Sequence, residues 1–179
     1  DDVQCQQLVE QLPALDGIVH CAGVGLRVPC KNIEQSDIDY VMQPNFMAPV
    51  LLQAALLSAK KINKEASIVF IASRAAEMPS VGNAVYSASK GAIISYAKCL
   101  ALELAPRKIR VNCICPAMVW TELALVGASR EQLEQAEQQY PLKRYGTPED
   151  IAYLSVYMLS GASSWMTGSC VDITGGAKE

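Results

Sequence analysis

The amino-acid sequence predicts an α/β fold in which helices cover both faces of a parallel β-sheet. Short apolar runs alternate along the chain with longer segments of helical periodicity. This order of strand and helix is typical of parallel sheets with crossover helices. The 179 residues, 51% of them hydrophobic and 18% charged, suit one domain with a substantial core. We therefore expect a single domain over residues 1–179.

Four short apolar segments are predicted as the strands of this sheet. They span residues 17–22, 67–72, 109–115 and 170–173. The first reads as a strand buried on both faces, as in the interior of a parallel sheet. Pro116 ends the third strand, and two glycines follow the fourth. Cys113 and Cys115 share one face of the third strand, where we expect buried free thiols.

Three longer segments are predicted as the crossover helices. Their apolar residues recur with helical spacing over 43–61, 86–105 and 148–160. Pro106 stops the second helix. The stretch TPED at 147–150 begins the third with an N-cap threonine, a proline at N1 and acids in the first turn. A polar run over 130–139 is predicted as a solvated helix, and its position also suits a flap over a site.

The carboxyl ends of the predicted strands carry Ala22-Gly23, Ser73 and Pro116. Ligands of parallel α/β sheets bind beyond these ends. Ser73 follows the second strand and precedes Tyr86 by thirteen positions. A strand-to-helix connection can bring its hydroxyl beside Tyr86, where it would fix a carbonyl or alcohol oxygen.

Tyr86 and Lys90 stand four residues apart in the stretch NAVYSASKGA, among small side chains. On a helix this spacing places both side chains on one face. A tyrosine with its usual pKa of about 10 is a poor proton donor or acceptor at neutral pH. A neighbouring ammonium group is expected to lower that pKa toward the working range. From the spacing alone, the alternative is a surface helix that carries an ordinary tyrosine and lysine.

The YSASK stretch at 86–90 resembles the short-chain dehydrogenase/reductase family in its YxxxK form. Further blocks match in the same order and spacing: Ser73 ahead of the motif, Asn45 within 42–46, and the segments 109–112, 116–121, 141–152, 167–168 and 174–176. The resemblance runs from Asp2 to Gly176. It implies a Rossmann-like, doubly wound parallel sheet. It also implies an NAD(P)-dependent oxidoreductase that interconverts a ketone and a secondary alcohol.

The resemblance further implies a role for each matched residue. Tyr86 corresponds to the general acid/base, and Lys90 to the group that lowers its pKa and binds the nicotinamide ribose. Ser73 corresponds to the donor that orients the substrate oxygen, and Asn45 to the residue that holds a water linking Lys90 to solvent. Asp2 corresponds to an acid at a strand end that contacts adenine. The cofactor-binding residues implied in this way are Asp2, Val3, Ala22, Gly23, Tyr86, Lys90, Pro116, Val119 and Thr121.

The sequence departs from the family pattern on the cofactor side. The glycine-rich loop TGxxxGxG is missing, and the chain corresponds to the C-terminal two-thirds of the family's domain. The preference between NAD and NADP therefore stays open. Without a preceding strand, the segment 17–22 is expected at an edge of the sheet. His20 and Cys21 stand where two asparagines are usual, and we expect His20 to be a packed residue rather than a catalyst.

Two hypotheses of different classes follow for the function. The first is the oxidoreductase, one form of which is a 3-oxoacyl-[acyl-carrier-protein] reductase-like enzyme. The presence of Tyr86, Lys90, Ser73 and Asn45 favours it. The second is a non-catalytic relative that keeps the fold as a binding or assembly module, and the missing glycine loop favours it. By resemblance we expect a homotetramer or dimer, built partly on the helix 86–105.

Charge and cysteine pattern restrict the partners and the setting. The net charge of −3 without a basic cluster argues against nucleic acid, and no block of like charges or long apolar run points to a membrane. Seven scattered cysteines without CxxC fit neither a disulfide framework nor a zinc site, so no metal is expected. They indicate a reducing, cytoplasmic setting. The resemblance implies a small-molecule carbonyl or alcohol substrate as the partner.

Overall fold

The computed structural model describes residues 2–177, and in this part of the chain the sheet has four strands. The helices and strands in chain order are α1 (Asp2–Gln11), β1 (Leu15–His20), α2 (Gln35–Met42), α3 (Ala48–Ser58), β2 (Ile62–Ile71), α4 (Ala84–Leu104), β3 (Arg110–Pro116), α5 (Arg130–Glu137), α6 (Pro148–Leu159) and β4 (Cys170–Ile173). The strands lie in the order β1-β2-β3-β4, and every neighbouring pair is parallel. The predicted parallel α/β sheet is confirmed.

Helices cover both faces of the sheet, as predicted. On one face, α3 and α4 pack against Ile68, Phe70 and Val111. On the other face, Met158 of α6 packs against Val69 and Ile114. Neighbouring residues of β2 point to opposite faces, so this strand is buried on both sides. The β-branched run of the sequence reflects that double burial.

The strand β1 lies at an edge of the described sheet, and the prediction that it is buried on both faces is wrong. It spans Leu15–His20 rather than 17–22. Asp16 and Gly17 are exposed, and Ile18 and Val19 are only half-buried. Within the described residues β1 pairs with β2 alone, so its other edge lacks a strand to cover it.

The strand β2 begins at Ile62, earlier than the predicted residue 67. The polar residues between these positions hid the extension from a search for apolar runs. The pairing with β1 is irregular here, since Leu15 pairs with Ile62 whereas Gly17 pairs with Ser67. Glu65 adopts a φ of 63°, which marks the extra residues as a bulge.

The predicted helix over 43–61 is wrong in its bounds, because its first five residues form a π-helical turn and the α-helix that follows ends at Ser58. α2 begins at Gln35 after a capping box between Glu34 and Asp37. The turn Gln43–Met47 follows, and α3 then runs over Ala48–Ser58. Pro44 and Pro49 lack the N–H groups that an uninterrupted α-helix would need, which accounts for the wider turn. Such turns are frequent at functional sites.

The helices α4 and α6 agree with the sequence. α4 spans Ala84–Leu104 and ends in a short turn that contains Pro106. α6 begins at Pro148, and the Asp150 N–H donates to Thr147 Oγ1 at 3.4 Å, as expected for the predicted cap. No helix in the described part of the chain is long and apolar enough to cross a membrane.

The helix α1 begins at Asp2, so the structure places Asp2 and Val3 in a helix and not in a strand. Its sequence carries Cys5 and Val9 four residues apart, and Val9 is buried in the core beside α3. Val3 is exposed on this helix. The side chain of Asp2 lies outside the described residues, so only its backbone position at the start of α1 is defined.

Candidate active site

A cavity of about 800 Å³ lies at the carboxyl ends of β1, β2 and β3. This is the edge of the sheet at which the sequence predicted a ligand site. Among the predicted site residues, those that line the cavity are Gly23, Ser73, Tyr86, Lys90, Pro116, Val119 and Thr121. The predicted residues Val3, Ala22 and Asn45 do not line it, and Asn45 is buried. The fold thus brings predicted residues from four separate segments to one space.

Ser73 and Tyr86 lie together in this cavity. Ser73 directly follows β2 and caps a short 3₁₀ turn, in which its Oγ accepts a hydrogen bond from the Ala75 N–H at 3.1 Å. Tyr86 stands in the first turn of α4. Burial raises the pKa of Tyr86, and a hydrogen bond with the Ser73 side chain opposes that rise. Tyr86 is therefore a protonated phenol at neutral pH.

Lys90 lies one turn further along α4 and is 5% exposed. Its Nζ donates to the Ile71 carbonyl at 2.9 Å and lies 5.8 Å from the centroid of the Tyr86 ring. Burial lowers the pKa of Lys90 to about 8. In this structure burial of the phenol outweighs the Ser73 contact, so the Tyr86 pKa lies above its usual value. The lowering of that pKa by Lys90 stays a prediction.

Asn45 lies in the π-helical turn and is 2% exposed. Its Oδ1 accepts from the Val24 N–H at 2.8 Å, and its Nδ2 donates to the Val24 carbonyl at 3.0 Å. Nδ2 also donates to the Ser89 Oγ at 3.0 Å, and Ser89 in turn donates to the Tyr86 carbonyl at 2.7 Å. This chain of bonds ties the loop after β1 to the helix that carries Tyr86 and Lys90.

Gly23 lies between Asn45 and Lys90. A Cβ at this position would lie 3.1 Å from Asn45 Oδ1 and 3.4 Å from Lys90 Nζ. A side chain would therefore push into the space beside the ammonium group. The sequence indicated small residues at 22 and 23. The structure explains the glycine at 23 by these close contacts, whereas Ala22 is exposed.

His20 is a packed residue, as the sequence predicted. Its Nε2 shares a hydrogen bond with Gln53 Oε1 at 3.0 Å, and its ring stacks on Phe70 with 4.6 Å between centroids. Burial lowers the pKa of His20, so the ring is neutral at physiological pH. His20 thus braces the end of β1 against α3 in place of the asparagine expected from the family pattern.

The segment after β3 forms another wall of the cavity. Pro116 is the last residue of β3, and Val119 pairs with Gly146 in an isolated bridge. The Trp120 Nε1 donates to Glu137 Oε2 at 2.8 Å, which anchors this wall to α5. Thr121 is exposed at the start of a short turn, on the cavity side. α5 follows this wall and packs through one buried residue, Leu133, so it is not fully solvated.

Sequence reasoning missed several residues that line the cavity beyond Tyr86. They come from loops without regular periodicity, and they include Leu26, Arg27, Met78, Leu123 and Val126. Two glycines with close contacts, Gly25 and Gly127, bring these loops together. Such glycines were the one signal in the sequence that could have located this part of the wall.

The comparisons with known proteins agree with this fold and arrangement. Residues 2–178 match the family model described as enoyl-(acyl carrier protein) reductase. The chain is 34% identical over 139 residues to the human dehydrogenase/reductase SDR family member 4, across 77% of this chain and 50% of that protein. It is 30% identical over 173 residues to a 3-oxoacyl-[acyl-carrier-protein] reductase FabG of Rickettsia felis, across 97% of this chain and 71% of that protein.

Solved structures match over nearly the whole chain. A short chain dehydrogenase family protein from Francisella tularensis superposes with a TM-score of 0.89 at 32% identity, covering 98% of this chain and 76% of that chain. A blue fluorescent protein from a metagenomic library, solved in complex with NADPH, superposes with a TM-score of 0.86 at 27% identity, covering 100% and 73% of the two chains.

The chain belongs to the short-chain dehydrogenase/reductase family. The family predicted from the YxxxK motif and its accompanying blocks is thereby confirmed, as is the Rossmann-like sheet. The chain spans about half the length of the dehydrogenase/reductase SDR family member 4 relatives and about 71% of the Rickettsia felis reductase.

Proposed function

We propose that the protein is an NAD(P)-dependent oxidoreductase that interconverts a ketone and a secondary alcohol, with Tyr86 as the proton donor and acceptor. One observation carries the proposal: Ser73, Tyr86 and Lys90, from two segments of the chain, meet in one cavity at the carboxyl ends of the strands. Membership of the family supports it, and so does the solved relative whose title names NADPH.

The residues around Lys90 fit the nicotinamide half of the cofactor. The ammonium group has three donors, and one of them is engaged by the Ile71 carbonyl. The other two suit the hydroxyls of a ribose. Gly23 leaves the space beside Nζ open, and Pro116, Val119 and Thr121 form the facing wall for the nicotinamide. The bound cofactor supplies or accepts the hydride, and NAD and NADP are both compatible with these contacts.

The proton chemistry follows from the site's own groups. Because burial keeps the Tyr86 phenol protonated, it can donate a proton to a carbonyl oxygen held by the Ser73 hydroxyl. The Lys90 ammonium stabilises the phenolate that this transfer leaves, since an opposite charge within reach favours the ionised form. Asn45 is proposed to hold a water that returns a proton through Lys90; the close approach of both side chains to Gly23 supports that role.

The substrate is a small-molecule ketone or alcohol. A 3-oxoacyl thioester is one candidate, supported by the similarity to the Rickettsia felis enzyme. The homotetramer or dimer and the cytoplasmic setting stay predictions.

The test is a turnover screen with the full-length protein. NADH or NADPH oxidation is followed by absorbance with aliphatic ketones and 3-oxoacyl thioesters, and dinucleotide binding is titrated in parallel. Saturable turnover with at least one carbonyl class supports the proposal. Tight dinucleotide binding without turnover on any carbonyl would contradict it and favour the non-catalytic binding module.

A further inference from the structure

The loop after Gly23 runs between two other loops and forms the outer wall of the cavity. The Val28 N–H donates to the Gly82 carbonyl at 2.8 Å, which fixes the loop beside the segment that precedes α4. On its other side, a Cβ at Gly25 would lie only 2.8 Å from Leu123 Cδ1. The backbone around Arg27 is therefore held close to both neighbours.

The aliphatic part of the Arg27 side chain rests on Gly127. A Cβ at that glycine would lie 2.6 Å from Arg27 Cδ and 3.4 Å from Arg27 Cγ. Gly127 adopts a φ of +81°, which disfavours any other residue. A glycine is thus needed here twice, for its backbone and for the space that the Arg27 side chain occupies. The contact directs Arg27 along the wall of the cavity, which it lines.

The charges that line the cavity are all positive. Among the described residues they are Arg27, Arg74 and Lys90, and no aspartate or glutamate lines the cavity, although the chain carries a net charge of −3. Arg74 is neutralised by Glu77 and Asp172, both at 2.8 Å. Lys90 is engaged by the Ile71 carbonyl in the proposed catalytic group. Arg27 forms no ion pair or side-chain hydrogen bond with the described residues.

Arg27 shares the cavity with apolar side chains. Leu26, Met78, Leu123 and Val126 also line it. A site with an apolar wall and one unpaired guanidinium suits a ligand that is apolar along its length and anionic at one end. Guanidinium groups bind carboxylate and phosphate with paired hydrogen bonds, which gives both affinity and orientation.

We infer that Arg27 binds an anionic group of the substrate and so selects carbonyl compounds that carry a carboxylate, sulfonate or phosphate. This inference rests on the proposed function, because it assumes that the carbonyl end of the same molecule lies at Tyr86. The apolar side chains between the two ends would contact the carbon chain of the substrate.

The test compares matched acids and esters. The probes are 4-oxopentanoate, 5-oxohexanoate, 6-oxoheptanoate and 7-oxooctanoate with their methyl esters, which keep the ketone and remove the charge. Arg27→Met keeps the aliphatic packing on Gly127, and Arg27→Lys keeps the charge. Lys31→Met is the matched control, since Lys31 is an exposed cation close in sequence that does not line the cavity.

For at least one acid, Arg27→Met is expected to lower kcat/KM about tenfold, as for loss of a charge-assisted pair at a partly exposed site. The esters should change less than about twofold by the same reasoning. Arg27→Lys should retain part of the preference for acids, and Lys31→Met should leave it unchanged. The KM for acids should rise with salt, because the ion pair is screened.

Equal losses for acids and esters would overturn the inference. An unchanged acid-to-ester ratio with a raised KM for NADH or NADPH would instead assign the guanidinium to a cofactor phosphate. Equilibrium binding of the same probes, measured by isothermal titration calorimetry, separates this inference from the proposed function. If no carbonyl is turned over, tighter binding of acids that is lost in Arg27→Met still supports the anion site, and equal binding of acids and esters rejects it.

Discussion

Replacement of Asn45 by alanine tests the contact that joins the loop after β1 to the helix of Tyr86. Asn45 is 2% exposed and makes three hydrogen bonds, two with the Val24 backbone and one with Ser89. Each contributes about 1 kcal/mol net. Alanine has the higher helix propensity, which returns about 0.5 kcal/mol. Since Val24 is only half-buried, water can partly replace the lost partners. We expect Asn45→Ala to lower the free energy of unfolding by about 2–3 kcal/mol.

The assay is urea denaturation of the wild-type and variant proteins, followed by circular dichroism. The loss corresponds to a fall in Tm of about 4–12 °C for a chain of this size. Amide hydrogen exchange adds a local measurement, because the Val24 N–H loses its acceptor and should exchange faster. The matched control is Asn32→Ala. Asn32 is exposed and makes no side-chain hydrogen bond with the described residues, so its replacement should change stability by less than about 0.5 kcal/mol.

A loss for Asn45→Ala no larger than that for Asn32→Ala, with the Val24 amide equally protected, would refute the reasoning. It would mean that the loop after β1 is held by other contacts. The role of Asn45 would then be confined to the proposed water.

Three further predictions concern pH and helix capping. Because burial lowers the pKa of Lys90 to about 8, kcat/KM for ketone reduction should fall as the pH rises through about 8. The Lys90→Met variant should lack this fall and should bind the cofactor more weakly. If kcat/KM of the variant still falls above pH 8, the titration belongs to another group. Burial lowers the pKa of His20 below 6.5, so as the pH falls the unfolded chain takes up a proton first and the free energy of unfolding decreases. Urea titrations should show that the stability of His20→Asn depends less on pH below 6.5 than that of the wild type. An equal pH dependence would contradict the burial argument. Thr147→Ala should lower the free energy of unfolding by about 1 kcal/mol, because α6 loses its N-cap side chain. Urea denaturation measures this loss, and an unchanged stability would mean that Asp150 alone holds the start of the helix.

The sequence predicted the elements whose signals are local. Thr147 and Pro148 define the start of α6 by capping chemistry, and the apolar run of β2 reflects burial on two faces. The family motif located Tyr86, Lys90 and Ser73, and the structure brings all three to one cavity.

Features that depend on packing were not predicted. The π-helical turn arises from two prolines in one helical segment, and its periodicity resembles that of a continuous helix. Asp2 and Val3 matched a strand-end pattern by their residue types, whereas the structure places both in α1, which packs on the core through Val9.

The electrostatics of the site also required three dimensions. The spacing of Tyr86 and Lys90 does not show how deeply the phenol is buried, and that burial raises its pKa. Arg27 is an ordinary loop arginine in the sequence, and only the positions of Gly127 and the cavity give it a role. Neither the burial of Tyr86 nor the position of Arg27 in the cavity can be read from the order of the residues.

The proposal that Tyr86 supplies the proton is tested most directly by single-turnover ketone reduction in Tyr86→Phe at saturating cofactor. Phenylalanine keeps the ring and removes the hydroxyl beside Ser73. Tyr153→Phe is the matched control, because Tyr153 lies on α6, is 74% exposed and does not line the cavity. We expect Tyr86→Phe to slow the reduction by about 10²–10⁴-fold while dinucleotide still binds, and Tyr153→Phe to match the wild type. A rate for Tyr86→Phe within a few-fold of the control would contradict the assignment of Tyr86 as the proton donor.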